Sequence, residues 1–337
     1  MSFIFINLTF YVNYVIIINV KIFLKKVYAK LAEDFMIRIT NNIEEANAIT
    51  HGGTFHGDDI MATVILKKVF KDLIVCRVNE IPNNVPTKAV MYDIGGGKFD
   101  HHQKNGNGRR YNGVPYSSCG LIWKTFGSKV IKNVTSLNTS YIWNAVDKEI
   151  ISGIDAVDNA DLPKIDYPAR IFNISAAISS FNPTWDSSES VDDAFLRAVE
   201  MAETIFDNVF KNALSKSRAK PILDELIDEC DGEVLILNNF LPWQDYIYFS
   251  EKYKASTIKF VIFPSNRGKG YNWQCVKNYS NMPRKAPPKE WWGASASELK
   301  SITGIETARF CHTNNGFIGG CDTLEDAIKM AKLAIKS

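Results

Sequence analysis

One segment constrains the fold more than any other: Tyr92-Asp93-Ile94-Gly95-Gly96-Gly97-Lys98-Phe99-Asp100-His101-His102-Gln103. An apolar run from Ala89 to Ile94 leads into three glycines. That pattern reads as a buried strand with a tight loop at its end. In an open α/β sheet, such a loop faces the crevice where ligands bind. A second stretch repeats the arrangement: Ala48-Ile49-Thr50-His51-Gly52-Gly53-Thr54-Phe55-His56-Gly57-Asp58-Asp59. The two loops together hold four of the chain's five histidines. Imidazole combined with carboxylate suits Mn²⁺, Zn²⁺ or Fe ions. Capped turns with satisfied polar groups would explain a single His–Asp pair. Recurrence of the same ligand types at two strand ends favours a metal site.

The flanking residues fill in an α/β pattern. Ala48 to Thr50 predicts a short strand. Ile60, Met61, Val64, Ile65, Leu66 and Val69 have helical spacing, so a helix follows from Asp59 to Phe70. Asp58 and Asp59 begin that helix, where capping is their alternative role. Leu73 to Val78 and Ala89 to Ile94 read as the next two strands. This βαββ order implies a mainly parallel sheet with helices on its faces. Lys104 to Gly113 is rich in Gly and Asn and basic. It is either a solvated loop or one whose Arg109 and Arg110 bind phosphate bidentately. Ser117 or Ser118 can cap the helix that carries Trp123 and Phe126. Ile142, Val146, Ile150 and Ile154 form one stripe of a helix from Tyr141 to Ile154. That helix ends among Asp155, Asp158 and Asp161, acids that oppose its macrodipole unless a cation compensates.

At 337 residues the chain can bury two cores. The expected division is an extension (1–35), a catalytic domain (36–220) and a smaller α+β C-terminal domain (221–337). Net charge of +2 excludes nothing globally. The six cysteines are scattered, which fits a reducing, cytoplasmic setting without a disulfide frame or zinc knuckle. Phe3 to Val20 is apolar and only marginally long enough to span a membrane, and Asn7, Asn13 and Asn19 interrupt it. A dispensable extension is favoured there over a stable membrane anchor. Asp186 to Glu233 reads as a helical connection that Lys220-Pro221 can break. From Lys252 to Lys289 there are nine Lys or Arg, no acid, and interleaved rings that include Tyr271 and Trp273. Cations with stacking rings, Arg267 and Lys269 among them, are what single-stranded nucleic acid needs. A core strand with a solvated basic face is the alternative. Cys311 to Gly320 reads as a Gly-rich loop whose backbone N–H groups can hold an anion.

Asp100-His101-His102 resembles the signature of the DHH phosphoesterase superfamily. Both loops, together with Ser117 to Lys124 and Asp155 to Asn159, are similar to its melanocyte-proliferating-gene branch, over about Ala48 to Ala334. The resemblance implies two divalent ions held by His51, His56, Asp58, Asp93, His101 and one of Asp155 or Asp158. Asp93 would bridge them. His56 stands where many relatives have Asp, which favours Mn²⁺, with Mg²⁺ or Co²⁺ also accommodated. His102 would face the substrate as a catalytic group and Asp100 would orient an imidazole. His312, Gly319 and Gly320 are similar to the element that closes over the substrate's phosphate or terminus. The activity implied is 3′-to-5′ exonucleolytic cleavage of RNA or single-stranded DNA. Hydrolysis of a small phosphorylated molecule, such as pyrophosphate or a short nucleotide, is the alternative. A nucleic-acid-binding module with a degenerate site is a third class, which the full ligand set disfavours. An oligomer is compatible with all three.

Overall fold

The structure, a computed structural model, describes residues 36–163, 168–169, 171–249 and 252–337. The N-terminal extension lies outside the described residues. Two compact units make up the chain, one ending at Leu214 and the other beginning at Ser215.

The first unit is built on four parallel strands: β1 (Met36–Ile39), β2 (Ala48–His51), β3 (Asp72–Val78) and β4 (Val90–Met91). Their order is β1-β3-β2-β4. Parallel neighbours need a crossover, and α1 (Gly57–Lys67) provides it between β2 and β3. Every residue of α1 from Gly57 to Leu66 is buried, so this helix forms the centre of the unit rather than an amphipathic cover. β4 is shorter than the apolar run implies. Pairing stops at Met91 because Asp93 takes a left-handed backbone (φ 57°), leaving Tyr92 in an isolated bridge with Phe99.

Helices α2 (Ser118–Val134), α3 (Thr139–Val146) and α4 (Ser152–Asp158) follow. A π-helical turn, Asp147–Ile151, joins α3 to α4. The predicted stripe Ile142, Val146, Ile150 and Ile154 is buried. After α5 (Ile174–Ser179) comes α6 (Val191–Glu229), which runs through Pro221 instead of breaking there. An internal proline costs about 3 kcal/mol. Ala219, Leu223 and Ile227 are buried around it, and each buried Leu or Ile contributes about 1.5–3 kcal/mol, so continuing the helix wins.

The second unit has a mixed five-stranded sheet of β5 (Val234–Ile236), β6 (Phe260–Pro264), β7 (Tyr271–Cys275), β8 (Ala308–Cys311) and β9 (Ile318–Cys321), in the order β5-β6-β7-β9-β8. Its helices are α7 (Gln244–Phe249), α8 (Tyr253–Thr257), α9 (Ala296–Thr303) and α10 (Leu324–Lys336). Tyr271, Trp273 and Cys275 share one face of β7 and pack into the core that includes Met330 and Ala331 of α10. Trp273 is therefore fully buried and cannot stack on a base.

The expected Gly-rich anion loop is instead a β8–β9 hairpin. Gly319 and Gly320 are strand residues, paired with Trp273 and Asn272 on one side and with Cys311 and Phe310 on the other. The basic stretch is partly neutralised within the unit. Lys252 pairs with Asp224 and Asp228, Lys259 with Glu233, and Arg284 donates to the carbonyls of Ala255, Ser256 and Ile258. Arg267 and Lys269 stay exposed in the β6–β7 turn. All six cysteines are free thiols. Among the described residues, no helix is long and apolar enough to cross a membrane.

Candidate metal centre

Two strand ends and two helix ends supply the side chains. His51 is the last residue of β2, and Asp93 follows β4 at the point where the left-handed turn redirects the chain. A short polar Asp tolerates that backbone better than most residues. Asp58 and Asp59 lie in the first turn of α1, and Asp158 is the last residue of α4.

Asp93 joins two halves of a cluster. Its Oδ2 is 3.2 Å from His51 Nε2, which is also 3.3 Å from Asp59 Oδ2. Its Oδ1 is 3.5 Å from His101 Nε2 and accepts a hydrogen bond from the Ser118 hydroxyl at 2.9 Å. His101 Nε2 is also 3.0 Å from Asp158 Oδ2 and 3.5 Å from Asp58 Oδ2. His51 Nδ1 sits 2.9 Å from the Gly52 carbonyl. A proton on that nitrogen leaves the Nε2 lone pair facing the carboxylates. Three ligand groups result: His51, Asp59 and Asp93; His56, Asp58 and Asp158; and Asp93, His101 and His102. Within each group the ligand atoms lie within 4.8 Å of one another.

Asp100 shapes the double-histidine loop. One oxygen accepts from Gly96 N at 2.6 Å, and the other from His102 N at 3.0 Å and His102 Nδ1 at 2.8 Å. The imidazole it orients is thus His102, whose side chain is 63% exposed.

The electrostatics are those of crowded carboxylates. Burial pushes Asp58 well above the usual carboxylate range, and Asp93, Asp158 and Asp59 push it further. Burial raises Asp59 to about 7, against the pull of His51. Asp93 behaves differently. Burial raises it too, but the imidazoles of His101 and His51 hold it well below the usual range. Asp93 lifts His51 to about 9, opposed by burial and assisted by Asp59. Burial works against a charge on His101, yet Asp158 and Asp93 lift it to about 11.

Asp58 Oδ1, Asp59 Oδ2 and His101 Nε2 are buried without a hydrogen-bond partner. The short His51–Asp59 and His101–Asp158 distances therefore reflect proximity, not aligned hydrogen bonds. Leaving one buried polar atom unsatisfied costs about 1–3 kcal/mol, more for a charged group. Divalent cations held by these ligand groups would engage such atoms, so the donor set fits a metal.

Eight expected residues lie elsewhere. Asp155 is fully buried, but its oxygens are taken. Oδ1 accepts from Ser117 Oγ (2.5 Å), Cys119 Sγ (3.1 Å) and Gly120 N (3.0 Å), and Oδ2 pairs with Arg110 at 2.6 Å. Of the two alternatives, Asp158 is the one beside His101. Ser117 spends its hydroxyl on Asp155 instead of capping α2. The Arg110 guanidinium is already engaged by carboxylates. It is buried, bidentate to Asp147 at 2.7 and 2.8 Å, and stacked over Tyr116. Arg109 is exposed, donating to Gly113 O and lying 3.9 Å from Asp161. His312, Arg267, Lys269, Gly319 and Gly320 all belong to the second unit.

Sequence reasoning left Asp59 as a cap, yet it does two things. Oδ1 caps α1 by accepting from His56 N and Ile60 N, while Oδ2 faces His51. The adjacency Asp58-Asp59 was the available signal, since consecutive residues on a helix point about 100° apart. Arg77 and Asn182 also escaped notice. Arg77 donates to Gly53 O at 2.6 Å and pairs with Asp192. Asn182 bonds both backbone groups of Phe55. Together they fix the His51–His56 loop.

A family profile labelled MYG1_exonuc and described as an uncharacterised protein family (UPF0160) matches residues 47–335. The MYG1 protein of Schizosaccharomyces pombe is 29% identical over 317 residues, covering 85% of this chain and 96% of that protein. The MYG1 protein of Dictyostelium discoideum is 30% identical over 315 residues, covering 84% and 94%. A human relative named MYG1 exonuclease is 27% identical over 321 residues, 85% of each chain. No solved structure matches. With a profile match across nearly all of the described residues, the chain belongs to the MYG1 family.

Proposed function

We propose that this protein is a divalent-metal-dependent phosphodiesterase of the DHH phosphoesterase type, acting as a 3′-to-5′ exonuclease on RNA or single-stranded DNA. The observation that carries the reading is the set of orphaned buried ligand atoms on Asp58, Asp59 and His101. The name MYG1 exonuclease borne by its mammalian relatives supports it. His51, Asp59 and Asp93 would hold one ion, and His56, Asp58 and Asp158 a second, with His101 beside Asp93 and Asp158. The mixture of imidazole and carboxylate favours Mn²⁺. Bound there, the ions supply Lewis acidity toward a phosphoryl centre. His102, held by Asp100 through Nδ1, keeps Nε2 outward to hold or deliver a proton at the substrate oxygen. Exposed cations such as Arg109, Arg267 and Lys269 would contact the backbone.

A second reading is hydrolysis of a small phosphorylated molecule. It gains from the burial of Trp273 and from the local pairing of Lys252, Lys259 and Arg284, which shrink the surface available to a strand. A turnover panel in Mn²⁺ with a chelator control decides between the two, comparing short RNA, single-stranded DNA, pyrophosphate and dinucleotides. Chelator-sensitive release of mononucleotides from RNA or DNA supports the exonuclease. Turnover of pyrophosphate alone moves the second reading ahead.

A further inference from the structure

The first turn of α2 is held from outside its own helix. Asp155, on α4, accepts from Ser117 Oγ at 2.5 Å, Cys119 Sγ at 3.1 Å and Gly120 N at 3.0 Å, all through Oδ1. Amides at a helix start lack intrahelical acceptors, and the residue before the helix usually offers one from its own side chain. Here Ser117 donates, and a residue 35 positions from Gly120 does the capping. Gly120 makes this approach possible, since a Cβ there would fall 1.9 Å from Asp155 Oδ2. That second oxygen accepts from Arg110 Nη1 at 2.6 Å, and Arg110 is fixed in turn by Asp147. Ser117, Ser118 and Asp155 are all fully buried.

Ser118 lies inside that tethered turn and touches the metal cluster twice. Its hydroxyl donates to Asp93 Oδ1 at 2.9 Å, and its N–H donates to Asp58 Oδ2 at 3.4 Å. These are the same two oxygens that stand 3.5 Å from His101 Nε2. The oxygens on the other side of the cluster, Asp93 Oδ2 and Asp59 Oδ2, face His51. Asp158, 3.0 Å from His101 Nε2, is the last residue of α4. Residues three apart on a helix are neighbours on one face. The helix that grips α2 through Asp155 therefore also presents Asp158 to His101. A carboxylate left alone rotates about its side-chain bond. Donors aimed at one of its oxygens remove that freedom before an ion arrives.

We propose that Asp155 is a positioning residue for the metal centre: it sets the first turn of α2, and through Ser118 it fixes the Asp93 and Asp58 oxygens on the His101 side. Its own oxygens are spent on α2 and Arg110, so it acts through Ser118 alone. Removing a hydrogen-bond partner from behind a ligand lowers metal affinity about 10- to 100-fold. The inference rests on the divalent-metal reading and adds how that site's ligands are held. A network that only stabilised the fold would leave the affinity of folded protein for metal where it was.

The test is calorimetric titration of the metal-stripped full chain with Mn²⁺, which reads binding without turnover. Asp155 stays intact in it, because replacing Asp155 would strand the buried Arg110 charge. Ser118→Ala should weaken one of two binding steps about 10- to 100-fold and leave the other nearly unchanged. Ser117→Ala removes the 2.5 Å tether to Asp155 and should weaken the same step. The double variant should be no weaker than Ser118→Ala alone, because both changes act along one path. Urea unfolding confirms that each variant is folded; where Ser118→Ala is not, Ser117→Ala alone decides. Unchanged Mn²⁺ affinity in folded Ser117→Ala overturns the inference and leaves the metal reading standing. Losses that add in the double variant overturn it as well, since the two serines would then act separately. Wild-type protein that binds no Mn²⁺ removes the metal reading and this inference with it.

Discussion

Removing Arg110 tests the packing behind the candidate site. Its guanidinium makes two parallel bonds to Asp147 and a third to Asp155, with side chains only 4%, 12% and 0% exposed. Arg110→Ala would leave two carboxylates buried without a counter-charge. Breaking a buried pair from one side costs about 3–5 kcal/mol. The lost contact with the Tyr116 ring adds about 0.5–2 kcal/mol. Against a total stability of about 5–15 kcal/mol, that is a large fraction. Urea unfolding should show the midpoint falling sharply with an unchanged slope. Arg110→Lys should recover part of the loss, since a single ammonium cannot reproduce the bidentate fork. An Arg110→Ala protein within about 1 kcal/mol of wild type, with a raised KM for a phosphate substrate, would refute this account. It would restore Arg110 as a substrate contact.

Three further outcomes follow from the same geometry. Gly120→Ala places a Cβ 1.9 Å from Asp155 Oδ2, so it should destabilise the protein by about 1–3 kcal/mol in the same urea assay. Metal-free protein should lose thermal stability between pH 6.5 and 8.5. His51, raised from 6.5 to about 9, holds its proton more tightly when folded, so its contribution is complete below 6.5 and is lost as pH rises through 9. Metal binding needs that imidazole neutral, so the gain in Tm on adding Mn²⁺ should grow over the same window; a Tm in chelator that climbs with pH would contradict the assignment. His102→Ala should retain metal and lose turnover, whereas His101→Ala should lose both, as read by metal analysis beside activity. The reverse pattern would exchange their roles.

Periodicity made much of the frame legible. The stripe from Ile142 to Ile154 and the run through β2 to His51 follow directly from spacing, because burial of one face or one strand dictates them. The two histidine loops were readable because ligand-type residues recur after strands. What escaped was decided by contacts distant in sequence. Asp155 and Asp158 are one helical turn apart and equivalent as ligands. Only the arrival of Arg110 and the start of α2 claims Asp155 and leaves Asp158 to His101. Arg110 itself sits in a stretch of Gly and Asn with no period to mark it as buried. Trp273 was within reach, since the alternation Tyr271, Trp273, Cys275 against Asn272, Gln274 already places it on the apolar face of a strand. Pro221 shows the limit of a local rule, because burial of its helical neighbours outweighs the cost of one proline.

The central claim is that the His and Asp cluster holds two divalent ions, and metal stoichiometry measures it most directly. Protein purified without chelator and then equilibrated with Mn²⁺ should retain about two ions per chain, as the two proposed ligand groups require. Asp59→Asn, which leaves Oδ1 to cap α1 and weakens only the atom facing His51, should reduce that to about one in protein of unchanged fold. Wild-type protein that binds no Mn²⁺, or that stays fully active after exhaustive metal removal, would contradict the account.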